Sequence, residues 1–195
     1  MLGLVACGGG GERQDAGEPE GEFPVEVVTA KFPNRQSLAV TTDLRLGVEN
    51  TGTETIPDLA VTIFVDDGAD GSFSIRLDQP GLANPNRPVW VVEDKYPRLA
   101  GESRPVGSAP GDVVQTNTYA FGPLEAGDRR EMIWRVSPVR GGTYTVNYEI
   151  AAGLTGKAQA VTADGSQPGG KFVVTIATKP PQSRVNDAGK VKIEQ

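Results

Sequence analysis

The chain has 195 residues, a formal net charge of −6, no histidine and a single cysteine. These counts exclude His-based catalytic triads, His-ligated zinc sites and any disulfide within the chain. Residues 1–22 hold five acids and one base, so the remainder is nearly neutral and mixed in sign, without the basic footprint that a phosphate backbone demands. With 25 glycines, 15 prolines and almost no helical periodicity, the composition is that of an all-β domain with many turns. The length suits one domain, 23–178, between an N-terminal segment, 1–22, and a tail, 179–195, and a domain of that size needs neither disulfide nor metal to fold.

The chain opens Met-Leu-Gly-Leu-Val-Ala-Cys, and Leu4-Val5-Ala6-Cys7 resembles the lipobox of bacterial lipoproteins. The resemblance implies that a signal peptide is removed before Cys7 and that lipid is attached to it. Residues 8–22 are glycine-rich, acidic and contain a proline, the composition of a disordered, solvated tether. Six residues precede Cys7 and none is basic, whereas a secretory leader needs a basic start and an apolar stretch of about 7–15 residues. The true start is therefore expected upstream. The expected address is the extracytoplasmic face of a bacterial cell membrane, reached through lipid on Cys7.

A first strand is expected over 23–30, where Pro24 suits a sheet edge. A turn follows over 31–36. Residues 41–50 form the next strand, with Leu44, Leu46 and Val48 inward, and residues 59–66 another, with Leu59, Val61, Ile63 and Val65 inward. The run from Thr42 to Val65 carries a strand ending Val-Glu-Asn-Thr-Gly and then a strand of alternating aliphatics. It resembles the opening half of the cell-adhesion-related domain, an immunoglobulin-like module of bacteria. The run Pro123-Leu124-Glu125-Ala126-Gly127-Asp128, the Trp134 strand and Gly142-Thr143-Tyr144-Thr145-Val146 look like that family's final hairpin. The resemblance implies an antiparallel β-sandwich of about seven to nine strands. It also implies that Tyr144 acts as a tyrosine corner, its hydroxyl bonded to nearby backbone, and that Val146 stands where antibody domains have a disulfide cysteine.

Three carboxylates, Asp66, Asp67 and Asp70, crowd the next turn and make a weak calcium site; the spacing is not that of an EF-hand, and a polar hairpin turn explains it better. A short strand is expected over 72–77. Residues 78–118 are proline-rich and read as a long loop insertion whose only strand-like run is Val89 to Val92. Arg87, Trp90, Tyr96 and Arg98 interleave aromatics with base there, a composition suited to binding a partner. For Trp90 itself the favoured reading is that Val89 to Val92 adds an edge strand and Trp90, within an apolar run, plugs the sandwich. Residues 101–111 are expected to be mobile.

The strongest alternation lies between 119 and 151. Met132, Trp134 and Val136 share one face, and Tyr144, Val146, Tyr148 and Ile150 share another. Trp134, Tyr144, Val146 and Tyr148 are the expected structural core. Strands are also expected over 158–161 and 171–178, the latter stopped by Pro180-Pro181, with 182–195 an exposed tail.

Acid–base chemistry without histidine would fall to carboxylates, lysine or tyrosine. The adjacent Glu93 and Asp94 should face opposite ways in a strand and so cannot flank one bond. No catalytic residue, cofactor or nucleic-acid partner is expected. The favoured reading is a lipid-anchored, non-catalytic module for adhesion or for binding an envelope protein or glycan. An accessory or solute-binding lipoprotein, with a closed apolar pocket under the 78–118 loop, is the alternative, and a carbohydrate-active enzyme the remote one.

Overall fold

Strict alternation of apolar and polar side chains lays down the central strands of the chain. The computed structural model describes residues 18–66, 73–75, 88–103, 117–179, 182–185 and 191–194. Its strands are β1 (Gly21–Lys31), β2 (Arg35–Ser37), β3 (Thr42–Asn50), β4 (Ala60–Val65), β5 (Phe73–Ile75), β6 (Trp90–Val92) and β7 (Arg98–Leu99). They continue as β8 (Thr118–Ala120), β9 (Arg129–Pro138), β10 (Gly142–Ala151), β11 (Ala158–Val161), β12 (Gly169–Ala177), β13 (Gln182–Val185) and β14 (Val191–Glu194). No helix interrupts them among the described residues.

The domain is an all-β sandwich. One sheet runs β11-β1-β3-β9-β6-β5, with β7 also on β9; the other runs β2-β12-β10-β4-β8. The inner faces meet as the alternation predicts. Leu44, Leu46, Val48, Met132, Trp134 and Val136 of the larger sheet are fully buried, as are Val61, Ile63, Val146, Ile150 and Val174 of the smaller. Aromatic side chains bridge the layers: Tyr119 and Phe121 stand edge-on to Trp134, at ring separations of 5.7 and 5.4 Å. The Tyr144 hydroxyl donates to the Gly141 carbonyl at 3.1 Å, tying the start of β10 to its own approach.

Several expectations need correction. Among the described residues the sandwich has twelve strands rather than about seven to nine, and it is mixed: β1 with β11, β5 with β6 and β12 with β2 are parallel pairs. Pro24 is not at an edge, because it lies between β11 and β3: it is in register with Val161 on one side and accepts from Thr51 N–H on the other. The expected turn at 31–36 contains the start of β2. The supposed final hairpin is no hairpin. β9 pairs with β3, β6 and β7, while β10 pairs with β4 and β12, so residues 139–141 cross from one sheet to the other. Gly141 makes the crossing possible, since a Cβ there would sit 2.8 Å from Thr178 Cα. Within the expected insertion at 78–118, residues 90–92 and 98–99 join the larger sheet as β6 and β7, and the expected tail carries the β13–β14 ladder.

β1 bends where its register on β3 shifts between Val27 and Thr29, a β-bulge that turns Val28 outward to 38% exposure. Gly47 faces this bulge; a Cβ at that position would meet Thr29 Cβ at 2.9 Å. The N-terminal segment also joins the fold earlier than expected. β1 starts at Gly21, and Glu18 is bonded to backbone of the 154–158 loop, so residues 18–22 belong to the sandwich rather than to a tether.

Candidate functional site

The outer face of the larger sheet carries a polar groove of about 780 Å³, lined by Pro33, Thr41, Thr42, Asp43, Glu93, Asp94, Tyr96 and Arg135. It is built from outward positions of strands whose inward positions make the core. Asp43 alternates with the buried Leu44 on β3, and Arg135 with Trp134 and Val136 on β9. The register sets Asp43 directly opposite Arg135. Arg135 Nε donates to Asp43 Oδ1 at 2.8 Å and Nη2 to Oδ2 at 3.2 Å, a two-pronged contact. Arg45 Nη2 donates to the same carboxylate at 3.2 Å, and its Nη1 reaches Glu131 Oε1 at 3.3 Å.

The hydrogen bonds from Arg135 hold the Asp43 carboxyl below the usual carboxylate range, against partial burial, with Arg45 adding to the effect. Asp43 therefore contributes stability at neutral pH. That contribution is complete above its unfolded value of roughly 3.9 and is lost as pH falls through the lower folded value. Asp43→Asn should lower stability by about 1 kcal/mol or less near pH 7, because the guanidinium partners are over 40% exposed. The gap to the parent should close on acidification. Urea denaturation at neutral and acidic pH measures it, and a gap that widens in acid contradicts the assignment.

β6 ends at Val92, and the chain then turns over residues 93–96, with Lys95 at φ 66° and Tyr96 N–H donating to the Glu93 carbonyl at 3.2 Å. Glu93 and Asp94 are thus in a turn, not a strand, and both line the groove, which corrects the expectation that they face apart. Glu93 accepts from the Ser137 hydroxyl at 2.7 Å, and Ser137 Oγ lies 3.0 Å from Thr41 Oγ1. The turn lays the Tyr96 ring beneath two guanidinium groups, Arg98 at 4.6 Å and Arg135 at 5.2 Å from its centre, a cation–π cluster.

Of the partner-binding residues expected from sequence, the structure places Tyr96 on this groove, packs Arg98 against its ring, and removes Trp90 from it. Trp90 is fully buried, stacked on Phe73 at 5.0 Å and edge-on to Tyr144 at 5.6 Å, and its Nε1 donates to Gln36 Oε1 at 2.7 Å. It plugs the sandwich, as its place in an apolar run led one to expect. Where a closed apolar pocket was considered, the described residues Val89, Trp90 and Val92 are packed into the core. Arg87, Cys7, Asp67 and Asp70 lie outside the described residues, as does much of 101–111; Asp66 accepts from Asn147 Nδ2 at 2.6 Å. Sequence reasoning missed Asp43 and Arg135, which are separated by 92 residues; their only signal was outward charge on neighbouring strands.

The groove offers carboxylates already engaged by guanidinium or hydroxyl groups, an arrangement suited to recognising polar side chains. Elsewhere, burial pushes the Tyr119 phenol up to about 12 and the Tyr148 phenol upward, so neither supplies a phenolate near neutral pH. No cluster of three or more metal-ligating side chains occurs among the described residues.

No known family profile and no curated protein matches the chain. Solved structures do resemble it in fold. The CARDB domain of the PF1109 protein from Pyrococcus furiosus, solved in complex with di-metal ions, is 11% identical; the match covers 80% of this chain and 87% of that one, with a TM-score of 0.42. The Escherichia coli α2-macroglobulin fragment from domain MG7 to the C-terminus is 14% identical over 83% of this chain and 18% of that one, with a TM-score of 0.43. A chain of the human complex of zinc α2-glycoprotein with prolactin-inducible protein is 8% identical over 79% of this chain and 94% of that one, with a TM-score of 0.41. At these identities the likeness concerns the fold alone.

Proposed function

We propose that the chain is a non-catalytic binding module, anchored by lipid on Cys7 at the extracytoplasmic face of a bacterial membrane, and that it engages an envelope protein or glycan through the Asp43–Arg135–Tyr96 groove and the Arg98 guanidinium packed on Tyr96. The observation that carries the reading is this groove: open, polar, and combining arginine with tyrosine, the residue types that dominate interface hot spots. Glu18 is held on the sandwich, so eleven residue steps connect it to Cys7. Fully extended they reach at most roughly 40 Å, enough to hold the domain close above a lipid surface.

Two measurements test the two halves of the proposal. Fatty-acid labelling in a bacterial host should mark the full chain and vanish in Cys7→Ser; label that persists in the variant ends the anchor. Capture from envelope extracts should fall at least tenfold on Arg98→Glu, equivalent to about 1.4 kcal/mol or more. Arg129→Glu, at a side chain 68% exposed and paired to Glu49 among the described residues, serves as the control. Equal capture by both variants removes the groove from the interaction.

A further inference from the structure

The loop that precedes β11 and the first residue of that strand turn three backbone N–H groups toward a single carboxylate. Glu18 Oε2 accepts from Leu154 N–H and Thr155 N–H, each at 3.0 Å, and Oε1 accepts from Ala158 N–H at 3.0 Å. Converging backbone donors of this kind form an anion-binding nest. The nest also requires its glycine: a Cβ on Gly153 would stand 2.1 Å from Glu18 Oε1 and 2.4 Å from Cδ. Partial burial alone would raise the Glu18 carboxyl; the donors at Ala158, Thr155 and Leu154 outweigh it and hold the group below its ordinary value. Three residues later, Gly21 N–H donates to the Lys157 carbonyl at 3.1 Å, and residues 21–24 then pair in parallel with β11.

We infer that the 153–158 loop is a carboxylate-binding site whose ligand is Glu18 of the same chain, and that this latch fixes where the N-terminal segment leaves the sandwich. A β-strand that begins at its own free end frays one rung at a time. Here the first rung is preceded by three charge-assisted hydrogen bonds, which are stronger than the neutral ladder bonds behind them. Opening of β1 from β11 must therefore break the latch first. The contact is local to the folded domain and holds whether or not Cys7 carries lipid.

Amide hydrogen exchange on the full chain tests the inference at Gly21, Leu154, Thr155 and Ala158. Glu18→Gln keeps the side-chain shape and removes the charge; Gly153→Ala keeps the carboxylate and fills the space it occupies. Both should speed exchange at these four amides on the order of tenfold or more, leaving Met132 and Trp134 in β9 unchanged. Unchanged exchange in Glu18→Gln overturns the latch. So does faster exchange in Glu18→Gln with none in Gly153→Ala, because the carboxylate would then act elsewhere than in the nest. Fatty-acid labelling and partner capture read the proposed function separately, and failure there leaves these amides where they are.

Discussion

Trp90→Ala should cost the domain about 3–5 kcal/mol, the range for emptying a large aromatic site in a packed core. Trp90 is fully buried on β6, between β9 and β5 of the larger sheet, with Phe32, Phe73 and Tyr144 at ring separations of 5.6, 5.0 and 5.6 Å. Truncation also removes the donor to Gln36 Oε1, and Gln36 is itself buried, with its amide nitrogen bonded to the Pro33 carbonyl at 3.0 Å. Two losses therefore add: the cavity, and an acceptor left without its partner. Trp90→Phe should recover part of the packing and none of the hydrogen bond, placing it between the parent and the alanine variant. Equilibrium urea denaturation measures both. A loss below about 1.5 kcal/mol for Trp90→Ala would mean that the ring is not packed as described. Any loss of partner capture in this variant is expected to follow from unfolding, which is why Arg98 is the residue to reverse.

Asn50→Ala should lower stability by about 2–3 kcal/mol although it removes only a small polar group. The Asn50 side chain is fully buried and makes three hydrogen bonds: its Nδ2 donates to the Glu54 carbonyl at 2.8 Å and the Leu124 carbonyl at 3.0 Å, and its Oδ1 accepts from Gly52 N–H at 3.0 Å. It thus ties the 51–55 turn at the end of β3 to the approach of β9. Its own backbone extends the tie, since Asn50 N–H donates to the Asp128 carbonyl and the Asn50 carbonyl accepts from Gly127 N–H. Alanine leaves Gly52 N–H and the Glu54 carbonyl of the part-buried turn without these partners and removes the buried donor to the Leu124 carbonyl. Asn50→Asp should be worse at neutral pH, because a carboxylate would face two carbonyl oxygens with one donor to offset them. Its deficit should shrink in acid, as protonation restores a donor. Thermal unfolding of the two variants across pH gives the comparison, and an alanine variant within 0.5 kcal/mol of the parent would contradict the hub.

The sandwich itself was legible because its central strands each bury one face. Leu44, Leu46 and Val48 alternate with Asp43, Arg45 and Glu49, and a two-residue period admits no other placement once one face must leave water. The same held for Trp134 with its neighbours and for Tyr148 and Ile150. Short strands without a full alternation were less visible: β2 and β7 are three and two residues long, and a pattern that brief carries no period. The groove was half legible. Tyr96 and Arg98 stood out by type, whereas Asp43 and Arg135 looked like ordinary outward charges on two different strands.

By itself the sequence determined which side chains leave water, and with them the class of fold, the absence of histidine chemistry and the polar character of the outer faces. Tertiary structure alone decided which strands are neighbours. β9 and β10 have equally apolar inner faces and only a short connection, yet they belong to opposite sheets, since burial is satisfied equally by pairing or by facing across the core. It also decided that Glu18 finds three amides some 136–140 residues away, and that Asp43 meets Arg135. Pattern along a chain records which faces are buried; the partners across each face depend on register and crossing, and these are set only when the two layers close.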